Sequence, residues 1–274
     1  MPPTVALLTD FGLRDHYVGA LKGAVLEACP AATLVDVAHE IGAHEVMEGA
    51  LTLAAAVPSF PVGTVFLAVV DPGVGGARRA LAAEAGGHRF VGPDNGLLSL
   101  ALEDRPGARV HAITNGALFR REVCPVFQGR DVFAPVAGRL AQGLTLEDVG
   151  PAISDPVSLA VPALARPRPG EWSAVVLHVD RFGNLTTNFR KADLDAIVRA
   201  LPEGEAGIEV ELEGNSIPLA RAYCDVAEGA LLAVLGSSGR LEIAVNRGNA
   251  ARLLGVARGA AVTVRAAAAA MLEL

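Results

Sequence analysis

The chain has 274 residues, of which 51% are hydrophobic and 19% are charged, and its formal net charge is −7. This length and hydrophobic content predict a globular protein with a core large enough for one large domain or two ordinary ones. The negative charge argues against binding to nucleic acid or to an anionic membrane surface. Because the sequence has neither a signal-peptide pattern nor about 20 consecutive apolar residues, we expect no membrane partner and a cytoplasmic location.

The first half of the sequence alternates short apolar runs with helical patterns. The predicted elements, in chain order, are strand 5–8, helix 17–28, strand 33–37, helix 43–56 and strand 64–70. This order is typical of an α/β domain with a mostly parallel sheet. Ligands bind such sheets beyond the carboxyl ends of the strands, which is where Asp10 and Asp71 stand.

Prolines are concentrated before the second half of the chain, and residues 161–170 are predicted to be a linker. The chain is thereby divided into an α/β domain at 1–160 and a smaller β domain at 171–274. Beyond the linker, alternating runs separated by glycine and asparagine turns predict an antiparallel, barrel-like sheet. The predicted strands are 173–179, 207–212, 231–235 and 261–265, and residues 266–270 fit either a short helix or a frayed tail.

Several common cofactor signatures are absent from the sequence. The three cysteines, Cys29, Cys124 and Cys224, are widely spaced without a CxxC pair, so we expect three buried thiols. The six histidines show no metal-binding spacing, and no metal site is predicted. Neither GxGxxG nor GxxxxGK[ST] occurs, so the sequence predicts no nucleotide-phosphate loop.

Three loops in the first half combine Asp, Asn and Gly: TDFG at 9–12, DPGVGGAR at 71–78 and GPDNG at 92–96. Glycines let a backbone approach a ligand closely, while carboxylates and amides bind hydroxyl or ammonium groups. The second half contains DRFGNLTTN at 180–188 and LGSSGRLEIAVN at 235–246, whose polar residues also follow strands. Each motif taken singly also fits an ordinary turn.

Taken together and in order, six motifs resemble the S-adenosylmethionine hydroxide adenosyltransferase family, which is related to the bacterial fluorinase and chlorinase. They are TDFG, DPGVG, VGPDNG, GRDVFAP, DRFGNLTTN and GSSGRLEIAVN, and they extend over most of the chain. The resemblance implies an N-terminal α/β domain, a C-terminal β domain and a homotrimer with ligand between neighbouring subunits. It also implies hydrolysis of S-adenosyl-L-methionine at C5′, giving adenosine and L-methionine without a cofactor.

The resemblance assigns roles to individual substrate-binding residues. Asp10 corresponds to the carboxylate that holds the ribose hydroxyls, and Asp180 and Ser237 to partners of the methionine ammonium and carboxylate. Tyr223, Asn184 and the backbone near Arg247 correspond to contacts of the adenine, where an aromatic ring can stack. The full predicted substrate-binding set is Asp10, Phe11, Asp94, Asn95, Phe127, Gly129, Asp180, Asn184, Tyr223, Ser237, Ser238, Asn246 and Arg247.

By the same resemblance, the attacking water is surrounded by an Asp, an Arg and a His. Asp71 and Arg78 match the first two, but the segment usually written FHGRD reads FQGRD here, which places Gln128 at the histidine position. A glutamine amide can orient a water but cannot accept a proton at neutral pH. Either Asp71 accepts the proton, or activity is reduced, or the protein does something slightly different.

Two alternative functions remain open at this point. A non-catalytic protein that binds S-adenosylmethionine or adenosine is compatible with the missing histidine, and it is distinguished by the absence of turnover. A halide-dependent adenosyl transferase is distinguished by halide in the product. The halide-transferring relatives have tyrosine where this chain has Asp71, and a carboxylate there repels an incoming anion, so water is favoured.

Overall fold

The computed structural model describes residues 2–103, 105, 107–200 and 207–267. The chain divides into two compact units, Met1–Leu159 and Ala160–Leu274. The strands of the first unit are β1 (Thr4–Thr9), β2 (Thr33–Ala38), β3 (Val65–Val69), β4 (Ala80–Ala85), β5 (His88–Pro93), β6 (Arg109–Ala112) and β7 (Ala152–Ile153). Its helices are α1 (Tyr17–Ala28), α2 (Val46–Ala56), α3 (Ser99–Glu103), α4 (Ala134–Ala141) and α5 (Leu146–Val149).

The sheet of the first unit has the strand order β2-β1-β3-β5-β4-β6-β7. The first three pairings are parallel and the last three are antiparallel, so the sheet is mixed where the sequence analysis expected it to be mostly parallel. The antiparallel half begins at the β4–β5 hairpin, whose turn is Gly86-Gly87 with φ of 58° and 78°. Glycine adopts these positive φ values without steric cost, which allows the tight reversal.

Two hydrophobic layers enclose this sheet. Along β1, Val5 and Leu7 face a core shared with α1 and α4, while Ala6 and Leu8 face a core shared with α2 and α3. The alternation follows from the strand period of two, and both faces are apolar because helices cover both. The resulting three-layer arrangement brings the carboxyl ends of β1 and β3 to one edge of the sheet.

The second unit is an antiparallel sheet with the strand order β12-β11-β15-β9-β10-β14-β13, and β8 pairs with β9. A bridge between Leu219 and Ala233 links the two ends of this order, which nearly closes the sheet into a barrel. The predicted α/β domain and smaller barrel-like β domain are therefore confirmed. The strands of the second unit are β8 (Ala165–Arg168), β9 (Glu171–Val179), β10 (Leu185–Arg190), β11 (Gly207–Leu212), β12 (Asn215–Pro218), β13 (Leu231–Leu235), β14 (Arg240–Val245) and β15 (Ala261–Ala267). Its helices are α6 (Lys191–Ala200) and α7 (Ala250–Leu254).

Some local features differ from the expectations. The predicted linker 161–170 contains β8, and the first two residues of 266–270 belong to β15 while 268–270 lie outside the described residues. Helix α2 begins at Val46 because His44 has a φ of 68°, which a helix cannot contain.

The expectation of three buried thiols is wrong. Cys29 is buried, but Cys124 is half-buried and Cys224 is exposed. Among the helices of the described ranges, none has the length and apolar character needed to cross a membrane.

Candidate active site

A pocket of about 560 Å³ opens at the carboxyl ends of β1 and β3 in the first unit, and we call it the first pocket. Asp10 directly follows the end of β1 at Thr9, and β3 leads through Val70 to Asp71, so the sheet itself brings these two carboxylates to the same edge. The lining residues are Asp10, Phe11, Tyr17, Ala43, His44, Val69, Asp71, Val74, Cys124, Val126, Phe127, Gln128, Gly129 and Arg130. Six of the predicted site residues therefore meet here.

Three aromatic rings form one wall of the first pocket. Phe11 packs edge-on against Tyr17 and Phe127 with ring centroids 6.1 Å and 6.0 Å away, and Tyr17 and Phe127 are 5.4 Å apart. A β-carbon on Gly129 would lie 3.4 Å from the Phe11 ring, so the backbone at Gly129 packs directly behind that ring. The wall offers an apolar surface next to the two carboxylates.

Asp71, Arg78 and Gln128 form one hydrogen-bonded group. Arg78 Nε donates to both Asp71 oxygens at 3.0 Å and 2.9 Å, Nη2 also donates to Asp71 Oδ2, and Nη2 reaches Gln128 Oε1 at 2.6 Å. The side chains of Asp71 and Arg78 are only 5% and 11% exposed. Charge-assisted hydrogen bonds between side chains with so little solvent exposure hold the carboxylate in one orientation.

The orientation of the Gln128 amide follows from its partner. An arginine side chain only donates, so the atom that faces Arg78 is the amide oxygen. The amide NH₂ then has no partner among the described residues, and Gln128 lines the pocket. Gln128 can therefore donate a hydrogen bond to a molecule in the first pocket.

The segment that carries Gln128 is anchored by a buried carboxylate. Asp131 is fully buried and accepts hydrogen bonds from the Cys124 backbone at 2.8 Å and from Arg130 Nε at 2.7 Å. Burial alone raises the pKa of Asp131, but the bonds from Arg130 and Cys124 outweigh it and lower that pKa. A π-helical turn over Gly129–Phe133 follows, a geometry that is common at functional sites.

Asp94 and Asn95 were predicted to bind substrate, but neither lines the first pocket. Asp94 is buried, pairs with Arg79 Nε at 2.7 Å and accepts the Val157 N–H at 2.7 Å. Asn95 Nδ2 donates to the Val70 carbonyl at 2.8 Å. Asp94 thereby ties the end of β5 to residues 155–157, and Asn95 supports the backbone next to Asp71.

The second unit has its own pocket of about 1,020 Å³, which we call the second pocket. It is lined by Phe182, Asn184, Tyr223, Gly229, Val245, Arg247, Gly248, Asn249, Arg252 and Leu253. Three predicted adenine-contacting residues, Asn184, Tyr223 and Arg247, therefore meet here. The Phe182 ring at the rim is 73% exposed, which leaves it open to a ligand or another chain.

Other predicted residues of the second unit lie outside the lining of the second pocket. Asp180 accepts hydrogen bonds from the backbone N–H groups of Phe182 and Asn184 and from the Asn184 side-chain amide. These bonds fix the turn between β9 and β10. Ser237 and Ser238 are exposed in the β13–β14 turn. Asn246 Nδ2 donates to the Val226 carbonyl at 2.8 Å.

Comparison with known proteins bears on both pockets. A family model for the SAM hydroxide adenosyltransferase N-terminal domain matches residues 5–150, and one for the C-terminal domain matches residues 174–263. The chain belongs to the SAM hydroxide adenosyltransferase family. The two matched ranges contain all residues that line the first and second pockets, so the pockets are parts of the family's own domains.

Individual relatives agree with this family membership. A protein of Salinispora tropica named (R)-S-adenosyl-L-methionine hydrolase is 42% identical over 267 residues, which cover 96% of this chain and 98% of that protein. A fluorinase of Actinoplanes sp. is 30% identical over 295 residues, which cover 96% and 97%. The crystal structure of an uncharacterized conserved protein from Thermotoga maritima superimposes with a TM-score of 0.86 at 35% identity, covering 95% of this chain and 99% of that one.

Sequence reasoning missed several pocket residues of this family member. Tyr17 and His44 line the first pocket, and Phe182 and Leu253 line the second. The cluster of aromatics around TDFG could have indicated Tyr17. Nothing local indicated His44, whose place depends on its positive φ and on a hydrogen bond from its backbone N–H to Asp10 Oδ2 at 2.9 Å.

Glu242 is a further acidic group near Asp180 that the sequence analysis did not single out. Burial raises the pKa of Glu242 and the nearby Asp180 charge raises it further, while burial and both carboxylates raise the pKa of Tyr223. No cationic partner of Glu242 occurs among the described residues. A ligand ammonium beside Asp180 would favour the ionised form of Glu242, so binding would release a proton.

We therefore expect affinity for S-adenosyl-L-homocysteine, which carries the ammonium but lacks the reactive sulfonium, to increase with pH from about 5 until Glu242 is ionised. Calorimetry at about pH 5.5 in buffers of different ionisation enthalpy counts the released protons. The Glu242→Gln variant should bind without this proton release. Equal pH dependence in native and variant protein would show that Glu242 does not sense the ligand.

Proposed function

We propose that this protein hydrolyses S-adenosyl-L-methionine at C5′, giving adenosine and L-methionine. The observation that carries the proposal is the hydrogen-bonded group of Asp71, Arg78 and Gln128 at the wall of a pocket in a member of this family. The names of full-length relatives such as the Salinispora tropica hydrolase support the same reaction. The proposed reaction uses no cofactor.

The proposed chemistry requires little from the protein because a sulfonium is already a good leaving group. Water attacks C5′ from the side opposite sulfur, the C5′–S bond breaks, and its electron pair stays on sulfur as the thioether of methionine. The attacking oxygen then loses its proton. The protein holds the water in line, excludes other solvent and receives the proton.

Asp71 is the group we assign to receive that proton. Arg78 holds the carboxylate through Nε and Nη2, and the same Nη2 holds the Gln128 oxygen, so both side chains lie against one guanidinium at the wall of the first pocket. We assign the attacking water to the space between the Asp71 carboxylate and the Gln128 amide NH₂. In that place, a water donates to Asp71 and accepts from Gln128. The positive charge of Arg78 stabilises hydroxide character that develops on the water.

Asp10 and the second pocket are assigned to hold the substrate. Asp10 has one oxygen bonded to the His44 N–H, which leaves the other for ribose hydroxyls. Asn184, Tyr223 and Arg247 are assigned to the adenine, and Asp180 with Ser237 to the amino-acid end. Phe11, Phe127 and Gly129 supply the apolar surface against the nucleoside.

The direct test is turnover by the purified protein. Incubated with S-adenosyl-L-methionine in chloride-free buffer, it should form equal amounts of adenosine and methionine, measured by chromatography. Added chloride should not give a chlorinated nucleoside. Tight binding without any product would replace this proposal with a non-catalytic binding protein.

We also propose that the working enzyme is a cytoplasmic homotrimer in which the first pocket of one copy faces the second pocket of a neighbour. Exposed apolar side chains at each rim, such as Val126 and Phe182, support a buried contact there. Mixing separately inactive Asp71→Asn and Asp180→Asn proteins after subunit exchange should then restore activity at about a quarter of the sites. A site built within one chain would give no restoration.

A further inference from the structure

A line of polar side chains runs beneath the loop that carries Asp10. Lys22 Nζ donates to Asp36 Oδ2 at 2.7 Å, His39 Nε2 lies 3.0 Å from Asp36 Oδ1, and His39 Nδ1 lies 2.8 Å from Thr9 Oγ1. The Asp36 side chain is 44% exposed, whereas His39 and Thr9 are 4% and 0% exposed. The line thus passes from the surface of the first unit into its interior.

The directions of these hydrogen bonds follow from the chemistry of the groups. Burial raises the pKa of Asp36, but the bonds from Lys22 and His39 outweigh it and lower that pKa, so the carboxylate is ionised and only accepts. His39 Nε2 therefore carries a proton and donates to Asp36, and in the neutral imidazole Nδ1 accepts the Thr9 hydroxyl proton. Thr9 Oγ1 keeps a lone pair free for another donor.

That donor is the backbone of the candidate site. The Phe11 N–H donates to Thr9 Oγ1 at 3.3 Å, and the Gly12 N–H donates to the His39 carbonyl at 2.7 Å. Phe11 directly follows Asp10 and Gly12 comes next, so His39 holds the Asp10 loop through its side chain, by way of Thr9, and through its backbone carbonyl. Hydrogen bonds to the buried Thr9 and His39 therefore favour one conformation of this loop.

We propose that His39 is a positioning residue that, through Thr9, sets the Asp10 carboxylate for two ribose hydroxyls of the ligand. The inference rests on the proposed function because it takes Asp10 to be the ribose ligand. An apolar side chain at 39 would fill the same buried space and keep the fold, but it would leave the Thr9 hydroxyl without its acceptor. These hydrogen bonds therefore contribute more to the conformation of the Asp10 loop than to the packing of the core.

Calorimetry with adenosine and with 2′,3′-dideoxyadenosine tests this role without relying on turnover. The native protein should prefer adenosine by roughly 10- to 100-fold, since hydrogen bonds to a charged group are lost with the hydroxyls. His39→Leu should reduce this preference by at least about fivefold while leaving the affinity for dideoxyadenosine within about twofold. Thr9→Val, which keeps the shape of the side chain, should do the same.

Two further variants separate positioning from stability. His111→Leu is the matched control, because His111 is also a buried histidine of the first unit and bonds the Gly150 carbonyl at 2.9 Å without lining the pocket. It should keep the native preference. His39→Asn should restore most of the preference, because its amide oxygen can take the place of Nδ1 as the acceptor for Thr9.

Coupling to Asp10 completes the test. In an Asp10→Asn background, His39→Leu should cause no further loss of preference. A native preference retained by both His39→Leu and Thr9→Val would overturn the positioning role while leaving the proposed function intact. A native protein that binds both nucleosides equally would overturn the ribose assignment of Asp10 and this inference with it.

Discussion

Replacing Asp71 by Asn should lower the turnover of S-adenosyl-L-methionine by roughly 10²- to 10⁴-fold, the range associated with losing a general base. Asparagine has nearly the same shape, and its Oδ1 can still accept from Arg78 Nε, which is 3.0 Å from Asp71 Oδ1. The amide cannot accept the proton that leaves the attacking water. Steady-state kinetics should therefore show a lower kcat with KM unchanged within about twofold.

The chain offers a close control for this substitution in Asp94. Its side chain is 3% exposed and pairs with Arg79 at 2.7 Å, much as the 5% exposed Asp71 pairs with Arg78. Asp94→Asn should lower the free energy of unfolding by about 1–3 kcal/mol, as Asp71→Asn does, because each change weakens a buried charge pair. It should leave turnover near the native level, since Asp94 does not line the first pocket.

Equal losses of turnover in the two variants would show that buried charge pairs matter for stability alone and that Asp71 has no chemical role. Loss of turnover only in Asp94→Asn would return Asp94 to the substrate-binding role that the sequence suggested. Denaturant unfolding of both variants keeps stability and chemistry apart.

The alternation of apolar runs was enough to predict most elements around the first pocket. Helix α1 was predicted at its observed bounds, and β1, β2 and β3 were predicted to within two residues, because short, mostly apolar runs of this length are typical of buried strands. The placement of Asp10 and Asp71 at one edge followed from parallel strands alone. The positions of those two residues could be predicted without knowing any contact between distant parts of the chain.

Other features depend on pairings between residues far apart in the chain, and local pattern could not indicate them. The antiparallel half of the first sheet was missed even though Gly86-Gly87 is a recognisable hairpin turn. Asp94 sits in a ligand-like motif, but whether its carboxylate faces a pocket or Arg79 is decided by the tertiary packing of residues 155–157. The π-helical turn at Gly129–Phe133 likewise has no simple sequence signal.

The contacts of Gln128 show what a histidine at this position would have to do. Its amide oxygen accepts from Arg78, so a histidine placed there must also present an acceptor nitrogen to Arg78 in order to fit. Only the neutral imidazole has one. A protonated histidine would place two donors and a second positive charge beside Arg78, which is unfavourable in a site this dry.

The Gln128→His variant should therefore acquire a pH dependence that the native protein lacks. The ratio of variant to native kcat should increase as the pH rises towards about 6.5 and then level off, because burial and the charge of Arg78 hold the pKa of the imidazole below its ordinary value. At the plateau the variant should exceed the native rate by at least about tenfold, since imidazole can share the proton that Asp71 otherwise takes alone. Gln142→His, which adds a histidine at an exposed position after α4, is the control and should leave the profile unchanged.

The outcome separates two roles for residue 128. A ratio that stays constant with pH would mean that residue 128 only fills space beside Arg78 and that Asp71 alone handles the proton. A ratio that rises with pH would mean that a proton acceptor at position 128 can take part in the reaction. The native glutamine would then give a lower rate than histidine, but its own charge would not change with pH. Measuring both variants over the same pH series, with product quantified by chromatography, decides between these roles because native and variant share every other group of the first pocket.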